Sequence, residues 1–356
     1  MTTLWNPIRL GDLTLRNRLA QAPMTRSRAG DDGTPGDLAP EYYAQRAAMG
    51  LLIAEGTQPS ADGQGYLNSP GLHEDAHVEG WRRVTRAVRE AGGHLFIQLM
   101  HAGRMSHPDN TPHHRQALAP SAIAADARMY TPSGMHDVPA PRAMALSDIE
   151  QTIEDYAAAA ARAMDAGADG VEIHGANGYL IQQFLAPNAN ARTDAYGGSI
   201  ENRARFAVEV AAAVADRIGA GHTGMRLSPG GTLGGIDEGP ESADLYRHLV
   251  ARLAPLGLAY LHVVQGPDEA LLRDIRRTWS SVLIVNRPGR DRGTLSSDLD
   301  AGLADMVSVG RIALANPDLP MRIRENLALN EPDPATFYGG GAQGYTDYPV
   351  FQAETA

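Results

Sequence analysis

Short apolar runs alternate along this chain with longer amphipathic stretches, and a polar or glycine-containing loop separates each from the next. Runs rich in Val, Ile and Leu that are too short for a helix read as buried strands. Apolar positions recurring every three or four residues read as helices packed on one face. The repeat is clearest mid-chain, where Ser147-x-x-Glu150 forms a capping box ahead of Ile153, Tyr156 and a run of alanines, and Gly167 stands where a left-handed helix stop belongs. Gly170 to His174 then reads as a strand. The unit recurs as a helix from about Glu201 to Ile218 before a strand from Gly224 to Leu227, and as Ser242 to Leu253 before Tyr260 to Val264. It recurs again as Glu269 to Trp279 before Val282 to Val285, and as Ser297 to Gly302 before Met306 to Val309. Nearer the N-terminus, Leu19 to Ala22, Leu51 to Ala54 and Leu95 to Gln98 supply three more strands, with helical stretches after Pro40 and from Gly80 to Ala91.

Strictly alternating βα units imply parallel strands with right-handed crossovers, which form a closed barrel or an open doubly wound sheet. Eight units favour the barrel, so the predicted fold is α/β, a single (β/α)₈ barrel spanning residues 1–356. One segment breaks the rhythm: residues 101–142, rich in Pro, His and Ser. A loop that long in a compact domain is commonly a functional cap. A short β-hairpin is expected near Arg128 to Val138, covering part of the barrel mouth.

Composition narrows the chemistry. Hydrophobic residues make up 43% and charged residues 21% of the chain, which excludes a disordered polymer. The net charge of -11 with scattered Lys and Arg carries no footprint for a phosphate backbone, so no nucleic-acid partner is expected. Cysteine is absent, which removes disulfides, thiolate metal sites, Cys-ligated clusters and a Cys nucleophile together. Redox chemistry must therefore come from a cofactor. Neither a secretory leader nor an apolar run near the ~18 residues of a membrane span is present, so a cytoplasmic monomer or homodimer is expected, with no membrane partner.

Two motifs mimic function. His73-Glu-Asp-Ala-His77 matches a zinc-protease string, but it follows Ser69-Pro70-Gly71, turn chemistry where the helix that string needs should already be running. It reads as a loop leading into the helix with Trp81, and no metal is expected. Gly339-x-Gly341-x-x-Gly344 matches a dinucleotide fingerprint without the surrounding βαβ unit and reads as a flexible loop.

Active sites of such barrels lie at the C-terminal strand ends. Those ends carry Pro23-Met24-Thr25, Glu55-Gly56, Gln98, then His174, Asn177 and Tyr179, Arg226, the loop from Asn286 to Gly289, and Gly310-Arg311. Gly289, Gly310 and Arg311 fit the phosphate seat usual after strands seven and eight. A buried Gln and Arg suit the polar edge of a flat heterocycle, one donating and accepting, the other supplying a fixed positive charge.

The strings Ala22-Pro-Met-Thr-Arg26, Gln98-Leu-Met-His-Ala-Gly-Arg104, Asp169-Gly-Val-Glu-Ile-His-Gly-Ala-Asn-Gly-Tyr-Leu180, Arg192-Thr-Asp-Ala-Tyr-Gly-Gly-Ser-Ile-Glu-Asn-Arg203 and Phe337-Tyr-Gly-Gly-Gly occur in this order. Together they closely resemble the Old Yellow Enzyme family of FMN-dependent ene-reductases. The resemblance implies non-covalent FMN, NADPH or NADH as reductant, and activated alkenes (enones, enals, maleimides, nitroalkenes) as substrates. By the same resemblance, His174 and Asn177 grip the substrate's activating oxygen and Tyr179 protonates Cα. Pro23, Met24, Thr25, Gly56, Gln98 and Arg226 contact the flavin ring, Gly310 and Arg311 its phosphate, and Tyr66, Met100 and Tyr338 line the substrate pocket. Met100 stands where many members carry Trp, and Thr25 rather than Cys argues against the branch that tunes its flavin with a thiol. Siblings with added domains and a Cys-bound iron-sulfur cluster are excluded by the lack of cysteine. The alternatives left open are a flavin-binding sensor or scaffold barrel, and a flavin-free phosphate-binding aldolase or isomerase.

Overall fold

A computed structural model describes residues 3–266 and 268–352; Met1, Thr2, Pro267 and residues 353–356 of the expected unit lie outside the described residues. Eight parallel strands close into a barrel: β1 (Leu19–Gln21), β2 (Leu51–Ile53), β3 (Leu95–Leu99), β4 (Gly170–Gly175), β5 (Thr223–Leu227), β6 (Tyr260–Val264), β7 (Val282–Asn286) and β8 (Met306–Val309). Strand β8 pairs with β1, Val307 opposite Leu19, to complete the cylinder. All eight were legible as apolar runs, with ends within two residues of those expected.

Alternation along each strand sorts its side chains into two compartments. Leu52, Leu95, Ile97, Val171, Ile173, Met225, Leu261, Val263, Leu283 and Val307 face outward into one continuous core beneath the helices. Each such burial stabilises by roughly 1.5–3 kcal/mol. After the short helix α1 (Ala39–Ala44), helix α2 (Asp75–Glu90) shows the matching stripe: Val78, Trp81, Val84, Thr85 and Val88 are buried while Arg82, Arg83, Arg86 and Arg89 face water. Inward positions near the strand starts, Ala20, Leu51, Ile53, Phe96, Tyr260, Ile284 and Met306, form a second apolar cluster. Inward positions farther along are polar, and these lead to the site.

The floor of the barrel is sealed by an N-terminal hairpin, Ile8–Leu10 against Leu13–Leu15, that the periodicity did not reveal. Its Leu10 and Leu15 join the inner apolar cluster with no exposure. Gly11 turns this hairpin at φ +54, where a Cβ would lie 2.4 Å from the Gly221 carbonyl oxygen. At the other end, Arg128–Thr131 pairs antiparallel with Gly134–Asp137, in the place expected for the cap hairpin. Met129 packs there with Met105, Ala125 and Val138 against Tyr66 and Tyr179, so the hairpin roofs the mouth.

The helix after the cap corrects one expectation. Helix α3 (Leu146–Asp165) begins before the Ser147–Glu150 box, and Asp148 is the residue whose carboxylate accepts the Ala145 N–H at 2.6 Å. Arg142 pairs with the same carboxylate at 2.8 Å, anchoring it there. The zinc-protease string corrects another expectation: helix α2 already starts at Asp75, not near Gly80, so His77 lies in its first turn and not in a loop. His77 Nδ1 accepts the main-chain N–H groups of His73 (3.2 Å) and Glu74 (3.1 Å), and its Nε2 faces the Asp32 carbonyl at 2.7 Å. Nδ1 is thus spent on capping α2 and Nε2 on tying the helix to the Asp32 loop. Among the described residues there is no metal-holding cluster, and no helix is long and apolar enough to cross a membrane.

Candidate active site

A cavity of about 250 Å³ opens at the C-terminal strand ends, lined by Pro23, Met24, Thr25, Gly56, Gln98, Met100, His174, Asn177, Tyr179, Arg311, Leu314, Phe337 and Tyr338. Most of the sequence-predicted residues therefore meet in one place. Arg226 lies beneath it, 6% exposed, directly opposite His174 on the neighbouring strand. Gly310 sits against Met24, whose Sδ would lie 3.3 Å from an added Cβ. Tyr66 stands beside the cavity, its hydroxyl 3.1 Å from that of Tyr179. Gly289 is not brought to this lining; it turns an open loop at φ +77. Arg287 in that loop is tied to Glu269 and to Asp298, and Arg290 pairs with Asp298 as well. Leu314 was missed by the sequence reading, lying one helical turn past Arg311 with an aliphatic side chain that carries no chemical signal.

The turn after β4 is held from below. Asn177 and Gly178 adopt left-handed φ of +58 and +84. The Asn177 N–H donates to Ser228 Oγ at 2.9 Å, and the Gly178 N–H donates to Gln182 Oε1 at 2.7 Å. Gln182, on helix α4 (Leu180–Leu185), donates in turn to buried Glu238 at 2.7 Å. The Asn177 carboxamide is thereby aimed by its backbone and left free for a ligand. Ser228, Gln182 and Glu238 are positioning groups that only the folded contacts reveal.

The C-terminal strap was also misjudged from sequence, where its glycines read as flexibility. Arg26 donates to the carbonyls of Phe337 (3.0 Å) and Gly344 (2.7 Å), and Arg28 to those of Thr336 (3.0 Å), Gly341 (3.1 Å) and Gln343 (3.1 Å). The Arg28 guanidinium also lies 4.5 Å above the Tyr345 ring. These contacts carry Phe337 and Tyr338 to the cavity rim. The buried Glu55 carboxylate accepts the Arg26 N–H at 2.9 Å, and burial pushes its pKa up to about 7.

Electrostatics within the site are set by desolvation. Burial, reinforced by the Arg226 charge, holds His174 well below the usual imidazole range, so its ring is neutral and has one N–H to donate. Burial likewise pushes the Tyr179 phenol well above its ordinary value, aided by Tyr66. Over 90% of buried polar groups in folded proteins find a partner. His174 Nδ1 and Arg226 Nε, both buried, have none among the described residues. A neutral donor, a buried cation and an exposed amide edge around one cavity fit a flat, polar-edged ring that gains negative charge on reduction. FMN has that chemistry, and the residues present fit it.

Comparison with known proteins agrees. Residues 3–330 match the family model described as NADH:flavin oxidoreductase / NADH oxidase. The chain belongs to the Old Yellow Enzyme family. It is 40% identical over 374 residues to chanoclavine-I aldehyde reductase of Penicillium roqueforti, across 99% of this chain and 98% of that one. It is 40% identical over 353 residues to a probable flavin mononucleotide-dependent alkene reductase of Leishmania infantum, across 96% of each. Morphinone reductase in complex with tetrahydroNAD superposes with a TM-score of 0.95 at 43% identity, covering 100% of this chain and 99% of that chain. The Old Yellow Enzyme homologue of Zymomonas mobilis superposes with a TM-score of 0.95 at 38% identity, covering 98% and 100% respectively. As an Old Yellow Enzyme family member, the chain is an FMN-dependent oxidoreductase fed by a reduced nicotinamide.

Proposed function

We propose that this flavoenzyme reduces electron-poor carbon-carbon double bonds, in enones, enals, maleimides and nitroalkenes, with His174, Asn177 and Tyr179 as its catalytic residues. The observation that carries the reading is the convergence of a neutral imidazole, a free carboxamide and a protonated phenol on one cavity. FMN held here would supply the hydride chemistry, with NADPH or NADH as its reductant. Hydride arrival drives negative charge onto the activating oxygen, and the His174 N–H and Asn177 NH₂ serve as preorganised donors there. Loss of one such donor typically costs about 3 kcal/mol of barrier. Tyr179 keeps its proton at neutral pH and delivers it to Cα, so the product leaves uncharged.

Arg226 and Gln98 would meet the polar edge of the ring, with Pro23, Met24, Thr25 and Gly56 along its border and Gly310 and Arg311 at the phosphate. Gly289 is offered as a phosphate neighbour only through its backbone, since its loop arginines are engaged elsewhere. Tyr66, Met100 and Tyr338 shape the substrate space, and residues 101–142 act as a cap within one barrel unit. Tyr179→Phe tests the assignment: nicotinamide should still bleach the flavin at the wild-type rate, while enone turnover slows. Undiminished enone turnover would remove Tyr179 from the acid role, and a colourless, flavin-free purified protein would remove the whole reading.

A further inference from the structure

Beneath the site the barrel holds an ionisable pair that the mechanism above does not use. Glu172 and His262 are both without solvent exposure, and Glu172 Oε2 lies 2.8 Å from His262 Nδ1. Glu172 Oε1 accepts from Gln98 Nε2 at 2.7 Å, and His262 Nε2 lies 2.8 Å from Ser308 Oγ. Barrel closure assembles this set from β3, β4, β6 and β8, with Glu172 directly opposite Gln98 in the register. A buried carboxylate costs several kcal/mol unless it is paired and hydrogen-bonded. Burial pushes Glu172 up, but the facing His262 and Arg226, with the hydrogen bonds from His262 and Gln98, outweigh it and hold the carboxyl below its usual range. Burial pushes His262 down and, with the Arg226 charge, outweighs the upward pull of the Glu172 carboxylate, so the ring donates Nδ1–H to Glu172.

Two consequences follow for whatever lies above. Because one Gln98 Nε2 proton is committed to Glu172, the amide is held in one orientation, with its carbonyl oxygen free to accept from a ring N–H and its second N–H free to donate. The carboxylate also offsets the Arg226 cation, which would otherwise act alone on a ring that becomes anionic when reduced. We propose that Glu172, seated by His262, is a positioning residue for the flavin: it fixes the orientation of Gln98 and sets the reduction potential against the pull of Arg226. The inference rests on the proposed placement of Gln98 and Arg226 at the ring edge.

Glu172→Gln in the holoenzyme tests it, with the flavin midpoint potential measured by dye equilibration and FMN affinity by reconstitution of the apoprotein. Removing the charge should favour reduced over oxidised flavin by about tenfold, a rise of about 30 mV for a two-electron couple. Freeing the Gln98 amide to flip should weaken FMN binding by about tenfold, the worth of one hydrogen bond to a charged group. Glu172→Asp keeps the charge but withdraws it from Gln98, so it should lose affinity while leaving the potential near wild type. It also serves as the test if the Gln variant fails to fold. An unchanged or lowered potential in Glu172→Gln, or an equal potential shift in Glu172→Asp, would overturn the proposal. Gln98→Leu separates this from its premise: if that variant binds FMN normally, the ring-edge placement itself fails.

Discussion

Replacing Tyr66 by Phe removes one oxygen from the site and leaves the packing of the ring intact. The Tyr66 and Tyr179 rings cross at 90° with their hydroxyls 3.1 Å apart, and each hydroxyl has one proton to give. While Tyr179 donates to Tyr66, its proton is turned away from the substrate. With both hydroxyls rotated, Tyr66 donates to Tyr179 and the Tyr179 proton faces the cavity. In that arrangement the Tyr66 hydrogen bond lands on an oxygen that becomes negative as the proton leaves. A hydrogen bond to a charged group contributes about 1.5–3 kcal/mol. Its loss should therefore slow proton delivery by about 10- to 150-fold. Stopped-flow reoxidation of the reduced holoenzyme by cyclohexenone reads this step, and anaerobic reduction by NADH reads the other half-reaction. Tyr66→Phe should slow reoxidation by that factor and enlarge its solvent deuterium isotope effect, with flavin reduction unaltered. Reoxidation at the wild-type rate with an unaltered isotope effect would refute the coupling of the two phenols.

Three further outcomes are expected. Arg28→Ala frees the carbonyls of Thr336, Gly341 and Gln343, so the KM for enones should rise more than kcat falls, and limited proteolysis should cut the strap first. Glu55, with its pKa raised from 4.5 to about 7, holds a proton in the native state that the unfolded chain has lost. Its contribution is complete below pH 4.5 and fades as pH climbs to 7, by about 3 kcal/mol in all, so urea denaturation of Glu55→Gln should show a flatter decline in stability between pH 5 and 8. Gly178→Ala places a Cβ 2.2 Å from the Leu233 carbonyl oxygen at φ +84, and thermal melts should show destabilisation of more than about 1 kcal/mol together with loss of enone turnover.

What could be read from the chain was what its periodicity records. Eight apolar runs and their amphipathic partners carry barrel logic locally, and the site residues cluster because strand ends share one mouth. The floor hairpin escaped because strands of three residues, Ile8-Arg-Leu10 and Leu13-Thr-Leu15, are too short to display a period. The strap escaped because Arg26 and Arg28 bind main-chain carbonyls more than three hundred residues away, and a carbonyl has no sequence signature. Glu172 was visible in a buried strand, but only closure of the barrel sets it against Gln98 and His262. Gly289 was placed by analogy with barrel phosphate seats, without knowledge that Glu269 and Asp298 hold its neighbours.

The anchoring of residues 336–344 by Arg26 and Arg28 gives the molecule a seam between segments more than three hundred residues apart. During synthesis, β1 waits for β8 and the two arginines wait longer still, so the rim is finished after the cylinder. A substitution at Phe337 or Tyr338 should therefore alter which molecules enter without disturbing a single rung of the cylinder beneath.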